Sequence, residues 1–305
     1  MRVNKAFRRT HSRREADRLV SARRVRVNGE EAGPGDRLVP GDVVTLDGRA
    51  VEWEELEPSV PGRSGGSEHS RVGLMGGRGS ERAAGEAASG GSLEAAMASM
   101  APYVYLMYWK PRGVICTTDR SVRGNVIDAL LQDSALRDFA GGQRLFTVGR
   151  LDKPSTGAVL VTSDGRVPNA VLGARRGHPK EYEVRPHQAV EAEDLERLRA
   201  GVVITTEAQR DGQRKALTAR TLPCEVERAG PRRESLRITL TEGRNRQIRR
   251  MLGALGYETL ELHRRSFAGL GLGAGCAGPG AWAPLDEAQR RRVAGWLHEA
   301  AAAPG

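Results

Sequence analysis

The chain has 305 residues, and its 48 lysines and arginines outnumber its 38 aspartates and glutamates, which gives a formal net charge of +10. A chain of this length can bury a sizeable core and is typical of two domains. The basic excess favours a polyanionic partner such as nucleic acid. No run approaches the roughly 20 apolar residues of a membrane span, and no signal-peptide pattern opens the chain, so we expect a soluble protein without a membrane partner.

The cysteines and histidines do not form a metal-binding pattern. The three cysteines, at 116, 224 and 276, are far apart, and the six histidines have no spacing typical of ligands. Neither a Cys-x-x-Cys pair nor a disulfide framework is present in the sequence. We therefore expect no metal and no cofactor, and a reducing compartment.

The first fifty residues predict a small basic module. Ser12 and Glu15 have the spacing of a capping box at the start of a helix. Asn28-Gly29 indicates a tight turn between two strands. Residues 1–26 contain ten Lys or Arg, among them Arg13 and Arg14, against two acids. Such a run is usually a solvated surface, but its concentration on a capped helix suits contacts with phosphate.

A glycine-rich segment follows this module. Residues 61–91 contain ten glycines interleaved with Ser, Ala, Arg and Glu. This composition cannot bury enough apolar surface to offset the cost of ordering the chain. We therefore predict a front module at 1–52, a flexible linker at 53–101 and a larger domain at 102–300.

The larger domain is organised around Asp152. This residue precedes an apolar run, 158–161, whose β-branched residues and flanking turns predict a buried strand that ends at Asp164-Gly165. Arg150 would favour the ionised form of the Asp152 carboxyl, which could then be directed at a ligand. The local pattern also fits, and taken alone favours, a structural turn aspartate paired with Arg150.

Three other segments contain candidate site residues, and each has a plain structural alternative. Lys110 follows an apolar run in a Lys-Pro-Arg-Gly turn, where a lysine is ordinarily solvated. Tyr182 lies in a predicted strand, 180–184, where a tyrosine is ordinarily a core or sheet-face residue. Arg244, Arg246 and Arg249 surround a predicted helix that ends near Gly256 and could be a solvated basic helix.

One further motif is a false lead. Residues 273–278 formally satisfy Gly-x-Gly-x-x-Gly. Pro279-Gly280 follows in place of a helix, and no strand-turn-helix unit surrounds the motif, so we expect a loop rather than a dinucleotide site.

Taken together and in this order, the four motifs of the larger domain resemble the pseudouridine synthases of the RsuA, RluB and RluF branch. They are Lys110-Pro111-Arg112-Gly113, the Asp152 segment, Lys180-Glu181-Tyr182 and the run from Gly243 to Met251. The front module resembles the alpha-L RNA-binding motif, named after a ribosomal small-subunit protein. The resemblance implies an α+β fold with a mixed, mostly antiparallel sheet flanked by helices. One departure is Trp109, where family members usually have Asn.

The resemblance also implies a role for each matching residue. Asp152 is the nucleophile, Arg249 pairs with it, and Tyr182 stacks on the target base and is a candidate acceptor for its C5 proton. Arg150 fills the gap that the everted uridine leaves, since enzymes that act on a base take it out of its stack. The remaining RNA contacts are expected from Lys110, Arg13, Arg14, Arg244 and Arg246.

These expectations predict a site-specific pseudouridine synthase that acts on ribosomal RNA, with a preference for the large subunit. The partner is then ribosomal RNA or a pre-ribosomal particle, the protein is a monomer, and its location is cytoplasmic in a bacterium or otherwise a plastid or mitochondrion. One alternative is a non-catalytic RNA-binding or ribosome-assembly factor that keeps the fold, with Trp109 and Pro154 as signs of lost chemistry. Another is a glycosidase-like hydrolase, which would need a second carboxylate beside Asp152.

Overall fold

A computed structural model describes residues 1–7, 10–11, 13–53, 92–172, 177–210, 213–230 and 234–302. The chain divides into two compact units, Met1–Ser89 and Gly90–Gly305. The predicted linker falls largely on residues 54–91, which lie outside the described residues. No helix among the described residues is both long enough and apolar enough to span a membrane.

The first unit is a small α/β module around its own core. It contains a short 3₁₀ helix, one α-helix and four strands: Val3–Phe7, α1 Arg13–Ser21, β1 Val25–Val27, β2 Glu30–Glu31, β3 Val44–Leu46 and β4 Arg49–Ala50. The strands form an antiparallel sheet in the order β2-β1-β3-β4. Phe7, Ala16, Val25 and Trp53 belong to one buried cluster beneath that sheet. The described part of this unit therefore has a hydrophobic core that does not depend on the second unit.

Two local predictions for this unit are tested by its backbone. Asn28 and Gly29 have φ values of 52° and 88°, so both adopt the left-handed conformation that a tight hairpin turn requires. Helix α1 begins at Arg13, directly after the predicted capping residue Ser12, which lies outside the described residues. The predicted turn and helix are thus confirmed, and the Ser12 cap stays a prediction.

The second unit is built on one large sheet. Its helices are α2 Leu93–Ala98, α3 Val126–Leu130, α4 Ser134–Ala140, α5 Val167–Leu172, α6 Ala192–Ala200, α7 Gln247–Ala254 and α8 Glu287–Ala302. Its strands are β5 Tyr105–Lys110, β6 Phe146–Val148, β7 Thr156–Thr162, β8 Lys180–Pro186, β9 Val203–Arg210, β10 Gln213–Arg220, β11 Glu225–Ala229, β12 Ser235–Leu240, β13 Thr259–Phe267, β14 Leu270–Gly271 and β15 Trp282–Pro284.

The sheet order is β11-β12-β8-β13-β7-β5-β15, with β14 beside β13 and β6 beside β7. Only the β13–β7 pair is parallel among the described pairings. The remaining strands, β9 and β10, form a separate hairpin. The predicted α+β class with a mixed, mostly antiparallel sheet is confirmed.

The sheet is covered on both faces at its centre, where β5 and β7 pair. Ala158 and Leu160 of β7 pack into one buried cluster with residues of α5 and α8, whereas Val159 and Val161 pack into another with residues of α3 and α4. A strand that is buried on both faces needs an unbroken apolar sequence rather than an alternating one. This explains the apolar run after Asp152 and holds that residue at the edge of a rigid core.

One predicted boundary differs from the structure. Helix α2 lies within the predicted linker at 53–101, yet Met100 is fully buried and Ala96 and Met97 pack against the same core cluster as α8. The second unit therefore begins before 102, because a short apolar helix completes its core.

Candidate active site

Asp152 lies in a turn held by a buried lysine from another strand. Its carbonyl oxygen accepts a hydrogen bond from the N–H of Ser155 at 3.0 Å. The side chain of Lys110 is fully buried, and its Nζ donates to the carbonyl oxygens of Ser155 at 2.7 Å, Lys153 at 3.4 Å and Pro111 at 2.8 Å. The N–H of Gly113 adds a bond to the Lys153 carbonyl at 2.8 Å. The Lys-Pro-Arg-Gly turn thus anchors the turn that contains Asp152.

The electrostatics of this anchor link it to the carboxylate. Burial lowers the pKa of Lys110, while Cys116 and Asp152 act in the opposite direction. A buried ammonium needs acceptors for its N–H groups, and the three carbonyls supply them. Lys110 therefore contributes positive charge beneath Asp152 without contacting solvent.

Asp152 faces a cavity of about 350 Å³. Its walls come from the Asp152 turn, β8, the end of β12, the start of α7 and β13. The lining residues are Gly149, Arg150, Leu151, Asp152, Ser155, Leu172, Lys180, Tyr182, Leu240, Gly243, Arg244, Asn245, Arg246, Gln247, Ile248, Leu262, Arg264 and Phe267. Among the described residues of this lining, Asp152 is the single carboxylate, and its side chain is 28% exposed. The cavity is thus a concave, mostly basic site with one anionic group.

The nearest cation to the Asp152 carboxylate is Arg246. Its Nη1 lies 3.7 Å from Asp152 Oδ2, and its side chain is 44% exposed. Arg246 precedes α7 with φ 52°, a left-handed conformation that is unfavourable for a residue with a Cβ. Gln247 holds this turn, since its Oε1 accepts from the N–H of Arg244 and its Nε2 donates to Glu242 Oε1. Backbone strain that neighbouring bonds maintain is typical of functional sites.

Arg249, which lies three residues after Arg246 on α7, also contacts the turn that contains Asp152. Its Nη2 donates to Ser155 Oγ at 3.4 Å, and its Nη1 donates to the carbonyl of Thr259 at 3.0 Å. Burial and the charge of Arg246 lower the pKa of Arg249, while Asp152 acts in the opposite direction. Arg249 therefore acts on Asp152 through its charge and through the buried Ser155, rather than by a direct ion pair.

Tyr182 lies across the cavity on β8, half-buried between two core clusters. In the sheet register, Arg264 of β13 lies between Tyr182 of β8 and Gly157 of β7. Gly157 has φ 109°, and a Cβ there would lie 2.2 Å from the Arg264 carbonyl oxygen. The close approach of β7 and β13 thus needs glycine at 157, and it brings the Asp152 turn and Tyr182 to one cavity.

Similarity to known proteins agrees with this geometry. A family model described as RNA pseudouridylate synthase matches residues 104–254, and an S4 domain model matches 11–44. The dual-specificity RNA pseudouridine synthase RluF of Salmonella typhi is 30% identical over 267 residues, which cover 86% of this chain and 69% of that protein. The chain belongs to the RNA pseudouridine synthase family.

Two further comparisons support the family and the fold. The ribosomal large subunit pseudouridine synthase B of Salmonella typhi is 29% identical over 287 residues, or 93% of this chain and 78% of that protein. A solved structure described as a pseudouridylate synthase has a TM-score of 0.54 and 20% identity, and the match covers 96% of this chain and 99% of that one. The resemblance of both parts of the chain, the front module included, is confirmed.

The structure brings together the three predicted catalytic residues of this synthase, but the ion pair of Asp152 differs from the predicted one. Asp152 and Tyr182 line the same cavity, and Arg249 lies behind Ser155. The direct partner of Asp152 is Arg246, which sequence analysis assigned to phosphate. Arg150 lines the cavity and its side chain is exposed.

Two residues predicted to contact RNA make contacts within the protein in this structure. Lys110 is buried and cannot meet phosphate, because its ammonium binds three backbone carbonyls. Arg244 is bound by Glu242 at 2.9 Å and by the carbonyls of Ala219 and Arg220, so its guanidinium braces the start of α7. Arg13 and Arg14 lie on α1, but their side chains lie outside the described residues.

Other residues of the site were not predicted from the sequence. Lys180 and Arg264 line the cavity, and His263 hydrogen-bonds Thr156 at 2.9 Å and lies against Trp109, with ring centroids 5.2 Å apart. The indole of Trp109 therefore packs against His263 and supports the start of β7. In the sequence, Arg264 follows Leu262-His263 in the strand that comes after the Gly243–Met251 motif. Its neighbours in space become clear only from the pairing of that strand with β7 and β8.

One expectation outside the cavity can also be compared with the structure. Residues 273–278 form a loop that leads to β15, as predicted, and not the start of a helix. Within the described ranges, no group of three or more His, Cys, Asp or Glu side chains is placed to hold a metal ion.

Proposed function

We propose that this synthase isomerises uridine to pseudouridine in ribosomal RNA, with Asp152 as its nucleophile. The observation that supports the proposal most directly is that Asp152 is the single carboxylate, within the described part of the chain, to line a basic cavity that also contains Tyr182. Relatives named as RNA and large-subunit synthases favour ribosomal RNA, and within it the large subunit. Those relatives are bacterial, which favours the cytoplasmic alternative for this chain.

The reaction breaks the bond from uracil N1 to the ribose and forms a new bond from C5 to the same ribose carbon. A carboxylate nucleophile divides this exchange into two easier steps by holding a covalent intermediate. Lys110, Arg246 and Arg249 place positive charge around the Asp152 side chain, with Arg246 Nη1 3.7 Å from its Oδ2. Only one acid is needed, whereas a glycosidase-like hydrolase would need two at a defined separation.

Tyr182 supplies an aromatic face for the everted base and a phenol oxygen that can take the C5 proton. Arg150 at the rim fills the space that the base leaves in the RNA. In the front module, Arg13 and Arg14 contact phosphate and position the RNA without reading its sequence. The domains at 1–52 and 102–300, the latter extended to include α2, then act as RNA-binding and catalytic parts of one monomer.

The test uses purified full-length protein and ribosomal RNA, either free or in pre-ribosomal particles. Pseudouridine is mapped by carbodiimide adducts, and RNA affinity is measured in parallel. The wild type should produce adducts at a defined uridine. Asp152→Asn should lower the rate at least about a thousandfold while leaving the affinity nearly unchanged, as loss of a nucleophile does.

Two results would contradict the proposal. Full activity of Asp152→Asn would remove Asp152 from the chemistry. RNA binding by the wild type without adducts on either ribosomal subunit would favour a non-catalytic RNA-binding factor instead.

A further inference from the structure

The cavity contains more positive charge than its single carboxylate neutralises. Arg246 is paired with Asp152, and Arg244 is paired with Glu242. Lys180 and Arg264 also line the cavity, and neither forms an ion pair within the described part of the chain. Cations without an acid partner in a semi-enclosed site raise the local potential and favour an anionic ligand.

Arg264 is the more deeply buried of the two, with 2% of its surface exposed. Its Nε donates to the carbonyl of Ala158 at 2.7 Å, and its Nη1 lies 3.5 Å from the carbonyl of Arg150. Its guanidinium packs over the ring of Phe267 at 4.9 Å. Its Nη2 is buried without a hydrogen-bond partner. A buried charged donor left in this state is costly unless something compensates for it.

Lys180 also lines the cavity, and its side chain is less buried than that of Arg264. It is two residues before Tyr182 on β8, so the two side chains lie on the same face of the strand. Its Nζ donates to the carbonyl of His178 at 2.8 Å, which leaves two further N–H donors on the ammonium. Burial, followed by the charge of Arg264, lowers the pKa of Lys180. The two cations are therefore close enough to repel one another.

The reaction supplies an anion at this point. When Asp152 captures the ribose carbon, the electron pair of the bond to N1 leaves with the base. Uracil then has one negative charge shared between its ring and its carbonyl oxygens. When C5 returns that pair to the ribose carbon, the carboxylate of Asp152 is released, the C5 proton passes to a base in the site and N1 takes up a proton. Preorganised donors that face such developing charge are commonly the largest contribution to catalysis.

We propose that Lys180, backed by the buried charge of Arg264, is the anion site that stabilises the detached uracil while it turns. Lys180 donates hydrogen bonds to a uracil carbonyl oxygen, without net proton transfer, and Arg264 acts through its charge. The proposal rests on the proposed function in naming uracil as the ligand. It adds two residues on strands β8 and β13 to the machinery around Asp152 and Tyr182.

A binding experiment tests the site without requiring turnover. The probes are uracil, which is neutral at pH 7, and barbiturate, a pyrimidine trione that is an anion at that pH. Full-length wild type should bind barbiturate at least about tenfold more tightly than uracil, as expected for charge-assisted hydrogen bonds. Titration calorimetry should show that Lys180→Met loses this preference and that Lys180→Arg keeps most of it.

The matched control is Arg291→Met, which removes one positive charge at a 65% exposed position on α8. It should leave the preference unchanged. Met retains the length of the lysine stem, so Lys180→Met should stay folded, and its melting curve checks this. Arg264 is not substituted first, because loss of its bond to the Ala158 carbonyl would disturb β7 itself.

A kinetic experiment then separates catalysis from binding. In single-turnover conversion of ribosomal RNA, Lys180→Met should lower the rate about a hundredfold or more with unchanged RNA affinity, and Lys180→Arg should recover part of it. Equal affinity of the wild type for both probes, or unchanged preference in Lys180→Met, overturns the anion site even if ribosomal RNA is converted. A Lys180-dependent preference in a wild type that converts no ribosomal RNA would support the anion site and contradict the proposed function.

Discussion

The two ends of β7 each have an aspartate, an arginine two residues away and a glycine, yet the structure uses them differently. At the far end, Asp164 is 1% exposed and accepts bonds from Tyr105 Oη at 2.6 Å, Arg166 Nη2 at 2.7 Å and the Arg166 N–H at 2.9 Å. At the near end, Asp152 is 28% exposed and has one cation at 3.7 Å, Arg246. One carboxylate is fully satisfied inside the protein, and the other is not.

This difference separates a structural aspartate from one available for chemistry. Asp164 forms the local Asp–Arg turn that the pattern around Asp152 also suggested. Burial, together with Asp164, raises the pKa of Tyr105, so that phenol stays a donor and the arrangement is fixed. Asp152 is instead supported from behind by Lys110 and Ser155, which leaves its carboxylate facing the cavity.

The largest difference between the two ends of β7 is expected from substitution of their glycines. Gly157→Ala should destabilise the second unit by about 4 kcal/mol or more, or prevent folding, because its Cβ would lie 2.2 Å from the Arg264 carbonyl at φ 109°. Gly165→Ala, at the other end, meets nothing within 4 Å and should change stability by less than about 0.5 kcal/mol. Urea unfolding followed by circular dichroism measures both. A stable Gly157→Ala would contradict the close approach of β7 and β13.

Replacing each aspartate by asparagine should give opposite results in assays of stability and of activity. Asp164→Asn should lower stability by about 1.5–3 kcal/mol, since it weakens buried bonds to charged and phenolic donors, and its folded fraction should still convert uridine. Asp152→Asn should lower stability by less than about 1 kcal/mol, because its ion pair is partly exposed, while losing activity. Urea midpoints and carbodiimide mapping on both variants provide the check. Equal loss of stability would show that Asp152 is also structural.

The smallest expected effect concerns His263, which supports the near end through Thr156. Burial lowers the pKa of His263 below 6.5, with Glu183 opposing the shift and Arg265 adding to it. The unfolded chain therefore binds the proton more readily than the folded one, so stability should fall as the pH falls from 6.5 through the lowered pKa. Urea midpoints between pH 7 and pH 5 should fall less in His263→Gln than in the wild type. If the urea midpoints of His263→Gln and the wild type had the same pH dependence, His263 would bind a proton equally well in the folded and the unfolded chain. That result would contradict the prediction.

The elements that local patterns specify were predictable from sequence. The unbroken apolar run of β7, the Asn28-Gly29 turn and the amphipathic face of α7 each report on residues a few positions apart. The positions of Asp152 and Tyr182 in one cavity followed from the family resemblance rather than from these patterns.

The contacts that depend on strand register were not predictable in this way. Lys110 resembles a solvated turn lysine until β5 is paired with β7, after which its ammonium points into the turn at 153–155. Arg246, and not Arg249, meets Asp152 because the chain takes a left-handed turn just before α7. Arg264 becomes a cavity residue only when β13 lies between β7 and β8.

The Lys110 anchor has a consequence for protein engineering. An ammonium from one segment holds the carbonyls of another that lies about forty residues along the chain, so neither segment specifies the geometry of the nucleophile alone. A graft of the Asp152 loop onto a different scaffold would need its lysine transferred with it, at the same depth. Directed evolution of this cavity should accordingly vary the two segments as a linked pair.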